Sequence, residues 1–272
     1  MYKCILALSA LAPLAAANCA HGTSLFPRSQ ALSVDVAVFG FNGLEGPLNW
    51  HALHEDNLDC AVGENQSPIN IESATIDKAC GSSLHFQLDD HPNGAEFFNL
   101  GSTVEAEATG TINLRNKTYN LVQFHFHTPS EHRIDSEYYP EEVHFVFQAS
   151  DGALAVVGVL IEIGTDEEAS SLLIDVFENL EDIAIPGDET HTGPLDFGEL
   201  EAHIQSSEIF QYSGSLTTPP CTQDIAWNVV KNPIYIDVDT FRRSKSVMKF
   251  NSRYTQNTPG QINLLSNACN GI

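Results

Sequence analysis

Positive charge is scarce in this chain. Only 12 lysines and arginines stand against 36 aspartates and glutamates, for a formal net charge of −24 at pH 7. Such a surface repels phosphate backbones and anionic lipid, which excludes nucleic acid as a partner class. Any anion chemistry must then rely on a local positive centre. Long apolar runs are also missing beyond the N-terminus: no later stretch reaches the about 20 residues that a membrane-spanning helix needs. The C-terminal QINLLSNACNGI lacks the hydrophobic tail of a lipid-anchor signal. There is no internal repeat, no low-complexity tract and no charge block long enough to form a tail. Helical periodicity is rare as well, which leaves strands to organise the fold.

What is present is enough apolar residue, 42 % of the chain, to build a sizeable core. A β-rich chain of 272 residues is expected to form one domain. The N-terminal MYKCILALSALAPLAAANCAHG has one lysine, a short apolar stretch interrupted by Pro13, and then small residues. That is the pattern of a secretory signal peptide, cut after Ala17 or after Ala20. The expected division is a signal peptide over 1–20, a leader over 21–36 and one domain over 37–268, secreted and extracellular. Cysteine usage fits an oxidising compartment. Cys4 leaves with the signal, Cys19 leaves only if the cut follows Ala20, and Cys60, Cys80, Cys221 and Cys269 remain, an even set with three connectivities. NKT at Asn116 is a glycosylation sequon in a polar turn between two strand-like runs. NQS at Asn65 is a second match, although Pro68 follows it and the segment looks structural.

From Phe39 onward short apolar runs alternate with turn residues. SSLHFQL, STVEAEATGTINL, KTYNLVQFHFH, EEVHFVFQAS, LAVVGVLIEIG, IFQYSGSL, DIAWNVV and NPIYIDV all have strand character. Helical spacing is convincing in DEEASSLLIDVFENL, where Leu172, Leu173, Val176, Phe177 and Leu180 recur, and in DVDTFRRSKSVMKF. The expected fold is mainly β: a single domain around a large, mostly antiparallel twisted sheet with a few short peripheral helices.

Within LVQFHFHTPSEH, His125 and His127 occupy alternate positions of a strand. Side chains two residues apart share a face and lie roughly 7 Å apart along the chain. Phe124 and Phe126 then point to the opposite, apolar face. Two such imidazoles become ligands of one ion if a third arrives from a neighbouring strand. EEVHFVF offers Glu142 and His144, again at i and i+2, and TPSEHRIDSEYYPE between the runs can reverse the chain. Three neutral imidazoles with one open position form the ligand set of a catalytic zinc. Cysteines, expected in disulfides, are not counted as ligands, and carboxylates alone suit harder ions.

GPLNW, NQSPINI, QFHFHTPSEH, EEVHFVF and SLTTPP followed by AWNVV resemble the α-class carbonic anhydrases of the secreted type, in the family's order, over about residues 39–267. The resemblance implies that His125, His127 and His144 bind zinc (Zn2+), and that zinc-bound hydroxide attacks CO2 to give bicarbonate and a proton. It implies that Gln123, the backbone carbonyl of Asn251 and Glu142 orient those three histidines in turn. Thr217 and Glu131 match the threonine and carboxylate that orient the attacking hydroxide. Thr218 matches an entrance residue, and Val146, Val156, Leu216 and Trp227 match an apolar CO2 pocket. His132 matches a buried structural histidine, and the remaining seven histidines are read as surface residues. Cys60 and Cys221 stand at positions paired in secreted relatives. Cys80 and Cys269 then form a second bridge, or Cys269 links two subunits, which leaves a homodimer open.

Two departures stand out. Fast members carry a proton-shuttling histidine in a GHT-like stretch, whereas NLGSTVEAE places Ser102 or Leu100 there, and neither titrates near neutral pH. His51 and His54 are weak substitutes. Phe41 stands where many members have a tyrosine. The implied function is reversible CO2 hydration with proton transfer limiting. Its rivals are a non-catalytic recognition module of the same fold and a weak zinc esterase.

Overall fold

Alternating apolar residues and a few well-placed irregularities build the sheet that carries this molecule. The structure, a computed structural model, describes residues 34–269, with Cys269 described by its backbone alone. The expected signal peptide and most of the expected leader fall outside these residues. In chain order the strands are β1 (Asn70–Ile71), β2 (Asp77–Cys80), β3 (Gln87–Leu88), β4 (Glu96–Asn99), β5 (Val104–Ala106) and β6 (Gly110–Leu114). They continue with β7 (Lys117–His127), β8 (Arg133–Ile134), β9 (Glu141–Ala149) and β10 (Leu154–Ile163). The last are β11 (Glu189–His191), β12 (Glu208–Ser215) and β13 (Gln223–Ile236). The helices are α1 (Trp50–Leu53), α2 (Asp59–Val62), α3 (Ser171–Val176), α4 (Gly198–Ser206), α5 (Val238–Met248) and α6 (Leu264–Cys269).

Eleven strands form one sheet, whose main path runs β11-β4-β5-β7-β9-β10-β13-β12-β2, with β6 joining β3 to β7. All of its pairings are antiparallel except β10 with β13. A separate parallel pair joins β1 to β8. The two runs DIAWNVV and NPIYIDV, read as separate strands, are one 14-residue strand. Val159 pairs with Val230 and Ile161 with Ile234, so extra residues of β13 bulge around Pro233. Proline lacks the N–H that a regular ladder would use there.

One face of the sheet packs into the main core. Phe124 and Phe126 of β7, Val143, Phe145 and Phe147 of β9, and Val157 and Val159 of β10 meet Leu172, Leu173 and Val176 of α3 and Leu200 and Ile204 of α4. Each such side chain, fully buried, contributes about 1.5–3 kcal/mol. The other face carries a smaller apolar cluster that includes Val146, Val156, Leu216, Ile225 and Trp227.

An irregularity in β7 decides which face each residue joins. Leu121 pairs with Phe147 but Gln123 pairs with Val146, so Val122 is an extra residue. Before this bulge the odd-numbered Tyr119 and Leu121 enter the main core; after it the even-numbered Phe124 and Phe126 do. A one-residue slip exchanges the two faces of a strand. Gln123, His125 and His127 thereby turn away from the core.

The helices differ from expectation in detail. The expected long helix over 166–180 is α3 followed by a separate 3-10 turn at Leu180–Ile183. Gly193 N–H donates to Asp175 O and the Arg243 guanidinium donates to Phe177 O and Glu178 O, so tertiary partners take carbonyls that a continuing helix would use. SSLHFQL begins as a 3-10 turn and is strand only at β3, because His85 adopts a left-handed backbone. The α4 helix, with only Leu200 and Ile204 buried, has too sparse an apolar stripe to announce itself. By contrast α5 lies within the expected stretch, its first turn closed by the Asp237 carboxylate accepting from Asp239 and Thr240 N–H.

Candidate metal centre

In the β7–β9 ladder His125 stands directly opposite His144, and His127 opposite Glu142. All three histidines are buried, at 4 %, 1 % and 1 % exposure, where a polar side chain needs every partner accounted for. Each uses one ring nitrogen on a protein acceptor. His125 Nδ1 meets Gln123 Oε1 at 2.9 Å, His127 Nδ1 meets the Asn251 carbonyl at 2.9 Å, and His144 Nε2 meets Glu142 Oε1 at 2.8 Å. The other nitrogens face one another, with one possible ligand atom from each residue lying within 4.8 Å of the others. His127 Nε2 is buried without a hydrogen-bond partner.

This arrangement fits a metal. Burial, reinforced by His127 and His144, holds His125 well below the usual histidine range. Burial lowers His127 to about 4 against the pull of the Asn251 carbonyl, and burial also lowers His144. Three neutral imidazoles therefore converge, their tautomers fixed by acceptors behind them. A second close group, His132, Glu142 and His144, is a hydrogen-bonded triad. Both ring nitrogens of His132 are already engaged, by Glu142 at 2.7 Å and by Tyr212 OH at 2.7 Å.

Glu142 binds more than one histidine. Its Oε1 accepts from His144 and His132, and its Oε2 accepts from the backbone N–H of Glu131 at 2.9 Å and of His132 at 2.8 Å. Burial opposes its charge, but His132 and His144 outweigh burial and hold the carboxyl well below its ordinary range. Behind it Tyr212 OH also meets Ser67 Oγ at 2.8 Å. The sequence pointed to Glu142 through its i, i+2 relation to His144, but nothing local pointed to Tyr212 or Ser67. The sequence reading passed over Gly158, a glycine inside an apolar strand, a position that often marks a close approach. A Cβ there would sit 3.0 Å from Glu142 Oε1 and 3.7 Å from the His144 ring.

Asn251 follows α5 and clamps the end of β7. Its side-chain oxygen accepts from Thr128 N–H at 2.6 Å, and its amide donates to the carbonyls of Phe126 at 2.9 Å and Ser102 at 3.1 Å. Glu131 is buried beside His127, with Oε2 3.6 Å from His127 Nε2. Burial pushes its carboxyl up to about 7, opposed by the Arg253 N–H and the Thr217 hydroxyl. Arg253 N–H lies 2.8 Å from Glu131 Oε1, a contact the sequence reading missed.

Val146, Val156, Leu216, Thr217, Thr218 and Trp227 line one small pocket together with His125 and His144. Cys60 and Cys221 form a disulfide, and Cys221 N–H donates to Thr218 O, so the bridge is tied to the loop carrying both threonines. Cys80 is exposed and has no disulfide partner among the described residues, and the side chain of Cys269, its suggested partner, lies outside them. Ser102 and Leu100 are both buried. His51 and His54 are exposed and do not line the pocket. Phe41 packs edge-on against Phe39 and Trp50. Asn116 sits exposed in a tight turn with Arg115, both with positive φ, between β6 and β7. Of the other histidines, His85 and His191 are exposed and His91 and His203 half-buried, and His203 Nε2 lies 2.9 Å from the Asn232 carbonyl.

A family model for eukaryotic-type carbonic anhydrases matches residues 45–267. A carbonic anhydrase from Pectobacterium atrosepticum is 33 % identical over 236 residues, 85 % of this chain and 92 % of the relative. Alpha carbonic anhydrase 7 of Arabidopsis thaliana is 33 % identical over 70 % of this chain and 68 % of its own length. Among solved structures, a fungal alpha carbonic anhydrase from Aspergillus oryzae is 44 % identical with a TM-score of 0.83, covering 86 % of this chain and 99 % of that one. One from Thermovibrio ammonificans, solved with the inhibitor sulfanilamide, is 32 % identical with a TM-score of 0.71, covering 83 % and 97 %.

Proposed function

The chain belongs to the eukaryotic-type carbonic anhydrases, and from that premise we propose that it hydrates CO2 with a zinc ion held by His125, His127 and His144. The observation that carries the metal assignment is the convergence of three neutral, back-anchored imidazoles with unused nitrogens. Three histidine ligands and an open position are the donor set of a catalytic zinc. When bound, zinc supplies the charge that lets water ionise near neutrality; carbonic anhydrase is itself the reference case, with a bound-water pKa of about 7.

The chain's own residues supply the rest. Gln123, Asn251 and Glu142 fix the ring orientations. In this reading Glu131, beside His127 and with its Oε2 free of other donors, takes the proton of the Thr217 hydroxyl, which leaves a lone pair of the Thr217 oxygen to accept a proton from whatever occupies the pocket. A ligand without a proton to give is disfavoured there. A dication among the three histidines would also draw the Glu131 carboxyl down toward its charged form. Val146, Val156, Leu216 and Trp227 offer CO2 an apolar wall, which suits a molecule that strong hydrogen bonds cannot hold. Thr218 contacts bicarbonate at the entrance. A non-catalytic module would be expected to lack a ligand histidine, and all three are present. Ester hydrolysis is a minor activity of the same site.

With Ser102 and Leu100 at the shuttle position, protons leave through buffer. Imidazole buffer should raise kcat strongly, and a kcat indifferent to buffer concentration would contradict this. The mature protein is secreted, its signal peptide removed, and is glycosylated at Asn116; the disulfide and the exposed turn support this reading. No helix among the described residues is long and apolar enough to cross a membrane. Stopped-flow CO2 hydration before and after zinc chelation tests the central claim: activity should vanish with the metal and return on adding zinc. Full activity in metal-free protein would end it.

A further inference from the structure

Glu141 opens β9 immediately before Glu142, but strand alternation turns it to the opposite face, where it is wholly buried. Its Oε1 is in hydrogen-bond contact with Ser244 Oγ on α5, and its Oε2 is buried without a partner. The same Ser244 oxygen lies 2.8 Å from the Phe241 carbonyl. A serine hydroxyl has one proton to donate, and a carbonyl has none. If Glu141 were ionised, carboxylate and carbonyl would compete for that proton, and a buried carboxylate whose Oε2 has no donor would have at most one hydroxyl to share its charge. If Glu141 keeps its proton, the chain closes: its O–H donates to Ser244 Oγ, and Ser244 O–H donates to Phe241 O.

Among the described residues no cation stands ready to offset a charge at this position. On α5, Arg243 is engaged with Glu181 at 2.6 Å, Arg242 lies 3.7 Å from Asp239, and Lys245 lies over the Phe241 ring. The Lys249 ammonium donates to Ser246 O, and Asp237 caps the start of the helix. On β10 the partner of Glu141 is Ile161, and Glu142 points to the other face. Burial pushes the Glu141 carboxyl up to about 8, with the Ser244 hydroxyl alone opposing it.

We propose that Glu141 is a neutral carboxylic acid that latches α5 onto the ligand strand β9 and so positions Asn251, whose carbonyl orients His127. The helix ends at Met248, three residues before Asn251. This inference rests on the metal-site reading above. Ionisation would leave a buried charge with the Ser244 hydroxyl as its one donor and would draw that hydroxyl off the Phe241 carbonyl; α5 would shift and the Asn251 carbonyl would lose its aim at His127. The latch therefore holds at neutral pH and releases in alkali. The sign for folding is separate. Between the ordinary glutamate value of 4.5 and about 8 the folded state keeps a proton that the unfolded state has lost, so stability falls as pH rises through that window.

Infrared difference spectra of wild type against Glu141→Gln near neutral pH should show the carbonyl stretch of a protonated carboxyl in wild type only. A difference confined to carboxylate bands would overturn the proposal. Zinc affinity, measured by chelator competition, should be alike in the two proteins near neutral pH. In strong alkali wild type should bind about tenfold more weakly than Glu141→Gln, the scale on which loss of a partner behind a ligand acts. Superimposable affinity profiles would refute the positioning role. Failure of both proteins to bind zinc at neutral pH would instead refute the metal-site reading. Ser244→Ala should weaken zinc binding already at neutral pH, and wild-type affinity in that variant would also count against the latch.

Discussion

Phe124 and Phe126 face one side of β7 and His125 and His127 the other, and the two pairs are held by different forces. On the first side stacked and edge-on aromatics, such as Phe124 with Phe145 at 5.3 Å, fill space without direction. That face tolerates exchange of one apolar group for another of similar volume. On the second side every ring has a fixed acceptor, and the acceptors are held in turn: Glu142 by four N–H groups, Asn251 by Thr128 and Phe126. There the loss of one atom leaves another buried and unpaired. The comparison separates a surface that gives stability from one that gives geometry.

Three changes would break or sharpen it. His144→Ala should have the largest effect, abolishing CO2 hydration and stoichiometric zinc binding while keeping the circular dichroism spectrum, since apolar burial holds the sheet. Loss of the fold along with the metal would mean that the two faces are not separable.

Phe124→Ala should do the converse: a loss of about 3–5 kcal/mol in urea unfolding with the zinc stoichiometry preserved. Last, His127 in zinc-free protein should stay neutral until about pH 4, a titration that NMR can follow. Its folded value lies below 6.5, so its contribution to stability is present above 6.5 and is lost as pH falls toward 4, about 3 kcal/mol in all. Glu131 and Glu141, both raised by burial, act with the opposite sign in the same range, so the ring itself, and not global stability, is the readout. A ring titrating near 6.5 would show that the site is open to water.

Much of the site was legible because its signals are local. An i, i+2 relation on a strand fixes a shared face, which supports the pairing of Gln123 with His125 and of Glu142 with His144 that the family resemblance implies. The roles of Thr217 and Asn251 came from family resemblance, because they lie far from the histidines in sequence; that of Glu131 did too, because it lies in the turn beyond β7, where no strand alternation fixes a face. Tyr212, Ser67 and Arg253 were missed for the same reason: each enters through a contact more than 75 positions away. In the fold, apolar alternation located the long strands but not where α3 would stop, since Gly193 and Arg243 decide that by taking its carbonyls.

Composition and pattern alone determined the class of this protein: a β-dominated chain, short of positive charge, with two histidine-bearing strands able to share a metal. These features depend on residue type and spacing, which chain sequence specifies directly. The tertiary structure decided which way those strands face, through the Val122 bulge. It also decided that Glu142 would serve two histidines and that Glu141, its neighbour, would be buried against Ser244. Each of these depends on what fills the space opposite a side chain, and distant parts of the chain supply that.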